Sequence, residues 1–255
     1  MPVNLSQTKY VHTEQIHNLH GPRRLIPHIL AFVSPSSVLD LGCGTGTFLK
    51  CFKDAGITDV LGVDGDWVDR QLLHQNLSES EFLAVDLERP FKLRREFDLA
   101  LCLEVAEHLR TEVADQLVAN LVNSAEVILF SAALPGQGGQ NHVNEQWPTF
   151  WEAQFNGHGY RFVDLIRPRI WRDKDIEFWY RQNTFLAVPE GHPLLVNTAS
   201  SLRDVVHPDL FTNKINSLHE ASDMLRRLNN GIESPVRYLK LFVKALLRRV
   251  GLYRS

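Results

Sequence analysis

The chain has no apolar run of membrane-spanning length, only three cysteines in 255 residues, and no excess of basic charge. Without a run of about 20 apolar residues, no transmembrane helix is expected. Cys43, Cys51 and Cys102 are odd in number, and each lies in an apolar or glycine-rich segment, which excludes a disulfide framework and a cysteine zinc site. A net charge of −3 names no particular partner and argues against duplex DNA. The first ten residues, MPVNLSQTKY, lack the charged-then-apolar layout of a secretory leader, so a cytoplasmic protein is expected. Apolar content of 44% and charged content of 22% are ordinary for a folded domain, and the length allows one sizeable core with an appendage.

What the chain does have is VLDLGCGTG, from Val38 to Gly46. Val38, Leu39 and Leu41 are strand-like, Asp40 sits at the strand end, and Gly42, Gly44 and Gly46 follow at a spacing of two. Thr47, Phe48, Leu49, Phe52 and Ala55 then fit a helical face, so the glycines occupy a strand-to-helix turn. Glycine there permits positive φ and close approach of a ligand, and the helix start offers unpaired N–H groups. This is a nucleotide-type cofactor site. It departs from the G-x-G-x-x-G dinucleotide fingerprint, and no lysine stands at P-loop spacing. An acid ahead of the glycines suits a cationic ligand end better than a pyrophosphate. The motif resembles that of the class I S-adenosylmethionine-dependent methyltransferases.

Further signals fall in step with the glycine turn. VLGVDGD is an apolar strand ending in Asp64, a carboxylate about 20 residues on that can accept hydrogen bonds from ribose hydroxyls. FLAVDLER is a third strand ending in Asp86, and FDLALCLEVAEHL a fourth that emerges at Glu104. The resemblance implies that Asp86 meets the adenine amino group with the Leu87 backbone beside it. It implies cofactor contacts from Asp40, Gly42, Cys43, Gly44, Gly46, Asp64, Gly65, Asp86, Leu87, Leu103 and Glu104.

Strands and helices alternate over Val38–Leu41, Gly46–Ala55, Val60–Val63, Val68–Gln75, Phe82–Val85, Leu99–Leu103, Thr111–Asn123 and Val127–Ala132, preceded by a helix over Pro22–Val33. The alternation predicts an α/β fold with a parallel sheet covered on both faces. PTFWEAQFNGHGY then reads as a helix, RFVDLIRPRIW as a strand, Trp171 to Gln182 as an aromatic and charged connection, and NTFLAVPE as a last strand. The resemblance implies a Rossmann-like seven-stranded sheet with an antiparallel last strand. Residues 1–21 are expected to form an N-terminal arm or lid, 22–190 the methyltransferase domain, and 191–255 a helical extension with a basic amphipathic end. That end, residues 236–255, carries six basic residues and no acid; subtracting them from the total of −3 leaves −9 on residues 1–235. Docking on its own domain or a second subunit, contact with an anionic membrane surface, or contact with nucleic acid are the readings it allows.

Methyl transfer from a sulfonium requires chiefly that the nucleophile be held close and in line. A base is needed where the acceptor is a hydroxyl. Glu104-Val-Ala-Glu107-His108 leaves the fourth strand on the cofactor side, and LPGQGGQNHVNEQW, Leu134 to Trp147, brings His142, Asn144 and Glu145 on a second loop. His108, His142 and Glu107 are the candidate catalytic groups. The E-x-x-E-H motif with a later histidine also resembles metal-dependent small-RNA 2′-O-methyltransferases. That likeness implies a divalent cation held by Glu104, Glu107, His108 and His142; the first reading assigns no metal. The aromatic stretch Trp171, Phe178, Trp179 and Tyr180, with Arg167, Arg169, Arg172 and Arg181, reads equally as a sugar or anion pocket and as core packing. No Asn/Asp-Pro-Pro-aromatic motif follows the fourth strand and Cys102 lies inside it, which excludes amino- and C5-methylation of DNA bases. The expected function is O-methylation of a small molecule or saccharide. The alternatives are a metal-dependent RNA ribose methyltransferase and a catalytically silent cofactor-binding module.

Overall fold

In a computed structural model that describes residues 18–196 and 202–249, β1 (Ser37–Leu41) is buried along its whole length. On it the sheet is built: β2 (Asp59–Asp64) and β3 (Phe82–Ala84) extend one side, and β4 (Phe97–Leu103), β5 (Ala125–Ser131), β7 (Phe185–Pro189) and β6 (Tyr160–Val163) the other. The order is β3-β2-β1-β4-β5-β7-β6, all parallel except β7, which is antiparallel to both neighbours. The seven-stranded sheet with its antiparallel last strand is therefore as expected.

Side chains alternate between two cores, as the two-residue period of a strand requires. Leu99, Leu101 and Leu103 of β4 join one, with α1 (His20–Leu30) and α2 (Thr47–Asp54). Ala100 and Cys102 join the other, with α4 (Ala114–Val122) and α5 (Pro148–Gly157). A sheet covered on both faces leaves its carboxyl-end edge for ligands. That edge carries the end of β1, the end of β2 and the turn after β4.

Some expected elements are redrawn. RFVDLIRPRIW is a strand only as far as Val163; Arg167–Ile170 is a helical turn, α6, because Pro168 has no N–H for a ladder but fits the first turn of a helix. The connection after Trp171 contains α7, Phe178–Asn183. The helix expected over Val68–Gln75 shrinks to α3, Arg70–Leu73, capped by Asp69. Most of the expected N-terminal arm, residues 1–17, lies outside the described residues, and α1 starts at His20.

The chain falls into two units, Met1–His207 and Pro208–Ser255. The second holds α8 (Pro208–Asn229) and α9 (Pro235–Arg249), joined through Gly231 at φ 69°. Among the described residues no helix is long and apolar enough to cross a membrane.

Arg167 anchors the rearranged segment. Its guanidinium pairs with buried Asp164 at 2.6 Å, reaches the carbonyls of Gln182, Arg203 and Leu202 at 3.2, 3.2 and 2.7 Å, and lies 4.0 Å over the Phe185 ring. Removing it strands a buried carboxylate and three carbonyls. Arg167→Leu is expected to lower the unfolding free energy by about 3–5 kcal/mol in urea denaturation. A loss under about 1 kcal/mol would make this pair no stronger than a surface one.

Candidate active site

The glycine turn is tied to β2 before any ligand arrives. The N–H groups of Gly42 and Cys43 donate to the Val63 carbonyl at 2.7 and 3.2 Å. Asp64 accepts from the N–H of Gly44 at 2.8 Å and from that of Gly65 at 2.7 Å. Two of the glycines are obligatory by conformation and space. Gly42 has φ 81° and a Cβ there would overlap the Val105 methyl groups; Gly46 has φ 77° and a Cβ would lie 2.7 Å from Leu77 Cγ. Thr45 Oγ1 is buried within the turn and has no hydrogen-bond partner among the described residues. The Trp67 ring covers Gly65.

Asp40, in β1, is buried, and among the described residues no hydrogen bond or ion pair reaches its carboxyl group. Burial first, and the charge of Asp64 second, push its carboxyl up to about 8. Cys43 lies over Gly62 of β2, and Leu103 and Leu87 are buried. Asp86 stands two residues beyond β3, exposed, where it caps the Glu88 N–H at 3.1 Å and pairs with Arg89 at 3.1 Å. Those partners turn it toward its own loop.

The turn after β4 is strained. Glu104 has φ 54°, a left-handed conformation that costs a non-glycine residue about 1–2 kcal/mol. It is held by its N–H, which donates to Ser131 O at 3.0 Å, and by its oxygens, which accept from Gln137 Nε2 at 2.9 Å and Asn183 Nδ2 at 3.1 Å. Burial raises its pKa, although these amides and His142 oppose the rise. Glu107, in the one-turn helix Ala106–His108, is wholly buried. Among the described residues neither of its oxygens finds a hydrogen bond of normal length and angle, and burial followed by the Glu104 charge drives its pKa well above the ordinary range.

The loop from Leu134 to Trp147 closes on this turn. The N–H groups of Val143 and Asn144 donate to the Glu107 carbonyl at 2.8 and 3.0 Å, and buried Asn144 accepts from Thr111 Oγ1 at 2.7 Å. Asn144 is thus a tie between loops. Glu145 accepts from the amides of Gly136 and Gly138 at 2.7 and 2.6 Å and pairs with His142 Nδ1 at 2.8 Å. Burial opposes its charge, but His142 and the two amides outweigh it and hold the carboxyl below its usual range. The His142 ring meets the His108 ring edge-on at 4.9 Å, and one ligating atom from each of Glu107, His108 and His142 lies within 4.8 Å of the others.

Sequence reasoning missed Gln137 and Asn183, the two amides that hold Glu104. Gln137 was legible as a polar residue of the glycine-rich loop; Asn183 had only its place before the last buried strand as a signal. The arginine and aromatic group divides differently from a ligand pocket. Arg167 and Arg181 are buried in structural contacts, Arg181 with the Trp171 carbonyl at 3.3 Å and His207 at 3.2 Å, and Arg169 lies over Phe32. Tyr180 packs edge-on against Phe48 at 5.5 Å.

The sign of the Asp40 effect on stability follows from its raised pKa. Folded Asp40 holds its proton up to about 8, whereas the unfolded side chain releases it near 3.8. Its contribution is complete below pH 3.8 and is lost as pH rises toward 8. Between these limits the ligand-free protein should lose up to about 1.4 kcal/mol per pH unit more than Asp40→Asn does. Urea unfolding of both proteins across that range measures the difference, and parallel curves would contradict it.

Comparisons with known proteins bear on this cleft. A family model described as a methyltransferase domain matches residues 13–167. Among solved structures, DesVI of Streptomyces venezuelae is 16% identical with a TM-score of 0.54, the match covering 71% of this chain and 100% of that one. S-adenosylmethionine-bound CalS10, an amino pentose methyltransferase from Micromonospora echinaspora involved in calicheamicin biosynthesis, is 16% identical with a TM-score of 0.51, covering 71% of this chain and 98% of that one. No curated protein matches the chain. With more than half of its length matched by that model, the chain belongs to the methyltransferase-domain family and is an S-adenosylmethionine-dependent methyltransferase.

Proposed function

We propose that the protein methylates a hydroxyl oxygen of a small molecule or saccharide, with His142 as the general base. The observation that carries this reading is the His142–Glu145 pair at 2.8 Å, set edge-on to His108 beside the turn after β4. A carboxylate that accepts the Nδ1 proton fixes the tautomer and leaves Nε2 with a lone pair. The saccharide class is proposed by analogy with CalS10, which shares the fold.

The residues of the cleft fit the cofactor. Asp40 is a buried carboxyl group with no counter-ion among the described residues and would face the ammonium of the methionine part. Gly42 to Gly46 would leave room for its backbone-like end, with Thr45 Oγ1 as a spare hydrogen-bonding group. Asp64 would exchange its bonds to the Gly44 and Gly65 amides for the ribose hydroxyls. When bound, the cofactor supplies a methyl group on a sulfonium, which departs as a neutral thioether. The chain's own work is then limited. It holds the acceptor oxygen in line, and as that oxygen bonds to carbon its proton passes to His142 Nε2, where Glu145 stabilises the imidazolium. Burial and the Glu104 charge raise the pKa of Glu107, which lies beside the two imidazoles.

A second reading is favoured by one observation, the convergence of Glu107, His108 and His142. In it a divalent cation would hold Glu107 ionised, with Glu104 nearby, and would acidify the hydroxyl of an RNA ribose.

Transfer of labelled methyl into cell extract fractionated into RNA, lipid, polysaccharide and small solutes separates these readings. The expected result is label in the saccharide or small-solute fraction, unchanged by a chelator. His142→Ala should slow transfer by about 100- to 10,000-fold without altering cofactor affinity, and Glu145→Gln should slow it less. Chelator-sensitive label in RNA would replace this reading with the second. Intact cofactor binding with no label in any fraction would make the protein a silent module.

A further inference from the structure

Among the described residues of the second unit, α9 carries a band of exposed apolar side chains. Val236, Leu239, Phe242, Val243 and Leu246 are all more than two-fifths exposed, with Phe242 at 63%. At the helical turn angle these five fall within an arc of about 120°, wide enough to be a burial face. Lys240 borders one edge of the arc and Arg249 the other; Lys244, Arg237 and Arg248 continue beyond Lys240. No aspartate or glutamate occurs from Pro235 to Ser255.

The turn from which this helix departs is well made. Glu233 pairs with Arg227 at 2.8 Å and with Arg237 at 3.1 Å, and the Tyr238 hydroxyl donates toward the Leu228 carbonyl at 2.8 Å. The cationic face is therefore held in a fixed orientation to the turn. It is a property of the fold.

We infer that α9 is a docking element for an anionic lipid surface, its apolar arc seated at the headgroup boundary and its lysines and arginines on the lipid phosphates. A second copy of α9 packed against this one would bring cations against cations. A nucleic acid would satisfy the cations and leave the apolar arc in water. A bilayer containing anionic lipid satisfies both, and long basic side chains at the edges of the arc can extend from it to the headgroups. Val250 and Arg254, which continue the pattern in sequence, lie outside the described residues.

Flotation of the full chain with vesicles tests this. Binding is expected to vesicles of phosphatidylcholine containing phosphatidylglycerol, to weaken with salt, and to be slight on phosphatidylcholine alone. The double change Lys240→Gln, Lys244→Gln should lower partition by about 25-fold, about fivefold for each cation. Phe242→Asp with Leu246→Asp should abolish it. S-adenosylhomocysteine affinity measured on each variant, expected to be unchanged, shows that the first unit is folded. No flotation, equal flotation with both vesicles, a solution dimer dissolved by Phe242→Asp, or salt-sensitive RNA binding without flotation would each overturn the proposal.

Discussion

The structure turns on acidic side chains enclosed at the carboxyl ends of the strands. Asp40 and Asp64 lie at the ends of neighbouring strands, and Glu104 and Glu107 in the turn that follows the next one. Among the described residues neither lysine nor arginine pairs with Asp40, Glu104 or Glu107. Burial alone raises their pKa values, and each acid raises another further: Asp64 acts on Asp40, and Glu104 on Glu107. A sequence under selection for stability alone would have replaced these groups with apolar ones of similar volume. A cleft that receives a cation gives them a use, and the cofactor's ammonium and sulfonium are cationic.

The backbone carries the same logic. Gly42 and Gly46 sit at positive φ with no room for a Cβ, while Glu104 adopts such a conformation without being glycine. The strain at Glu104 is offset by Ser131, Gln137 and Asn183, drawn from β5, the loop after it and the segment before β7. Strain held by three separate elements marks a position the fold is built to maintain. The loop that supplies Gln137 also supplies His142 and Glu145, so the acid cluster and the histidine pair share one scaffold.

Much of this was legible in the chain. The alternation from Val38 to Ala132 described the parallel core because each strand there is apolar and each turn carries glycine or an acid. VLDLGCGTG was legible because its glycines answer to a steric need that acts locally. The segment from Arg161 to Asn183 was misread for the opposite reason. Its apolar and aromatic residues satisfy strand and helix patterns alike; Pro168 was the one local sign of a helical turn, and the Asp164–Arg167 pair that fixes it forms only in three dimensions. Gln137 offered only its polarity within a glycine-rich loop and Asn183 only its place before a buried strand, since an amide's role depends on a carboxylate distant in sequence. His142 was found from residue type, but its partner Glu145 became a partner only when the Gly136 and Gly138 amides folded around it.

The central claim is that the cleft stores an uncompensated acid at Asp40 which the cofactor's cation ionises. Calorimetric titration of the protein with S-adenosylhomocysteine at pH 7, in two buffers of different ionisation heat, measures it directly. With Asp40 protonated up to about 8 in the free protein, binding should release close to one proton per site. Asp40→Asn should release almost none. Identical heats in both buffers, or the same release from Asp40→Asn, would contradict the account.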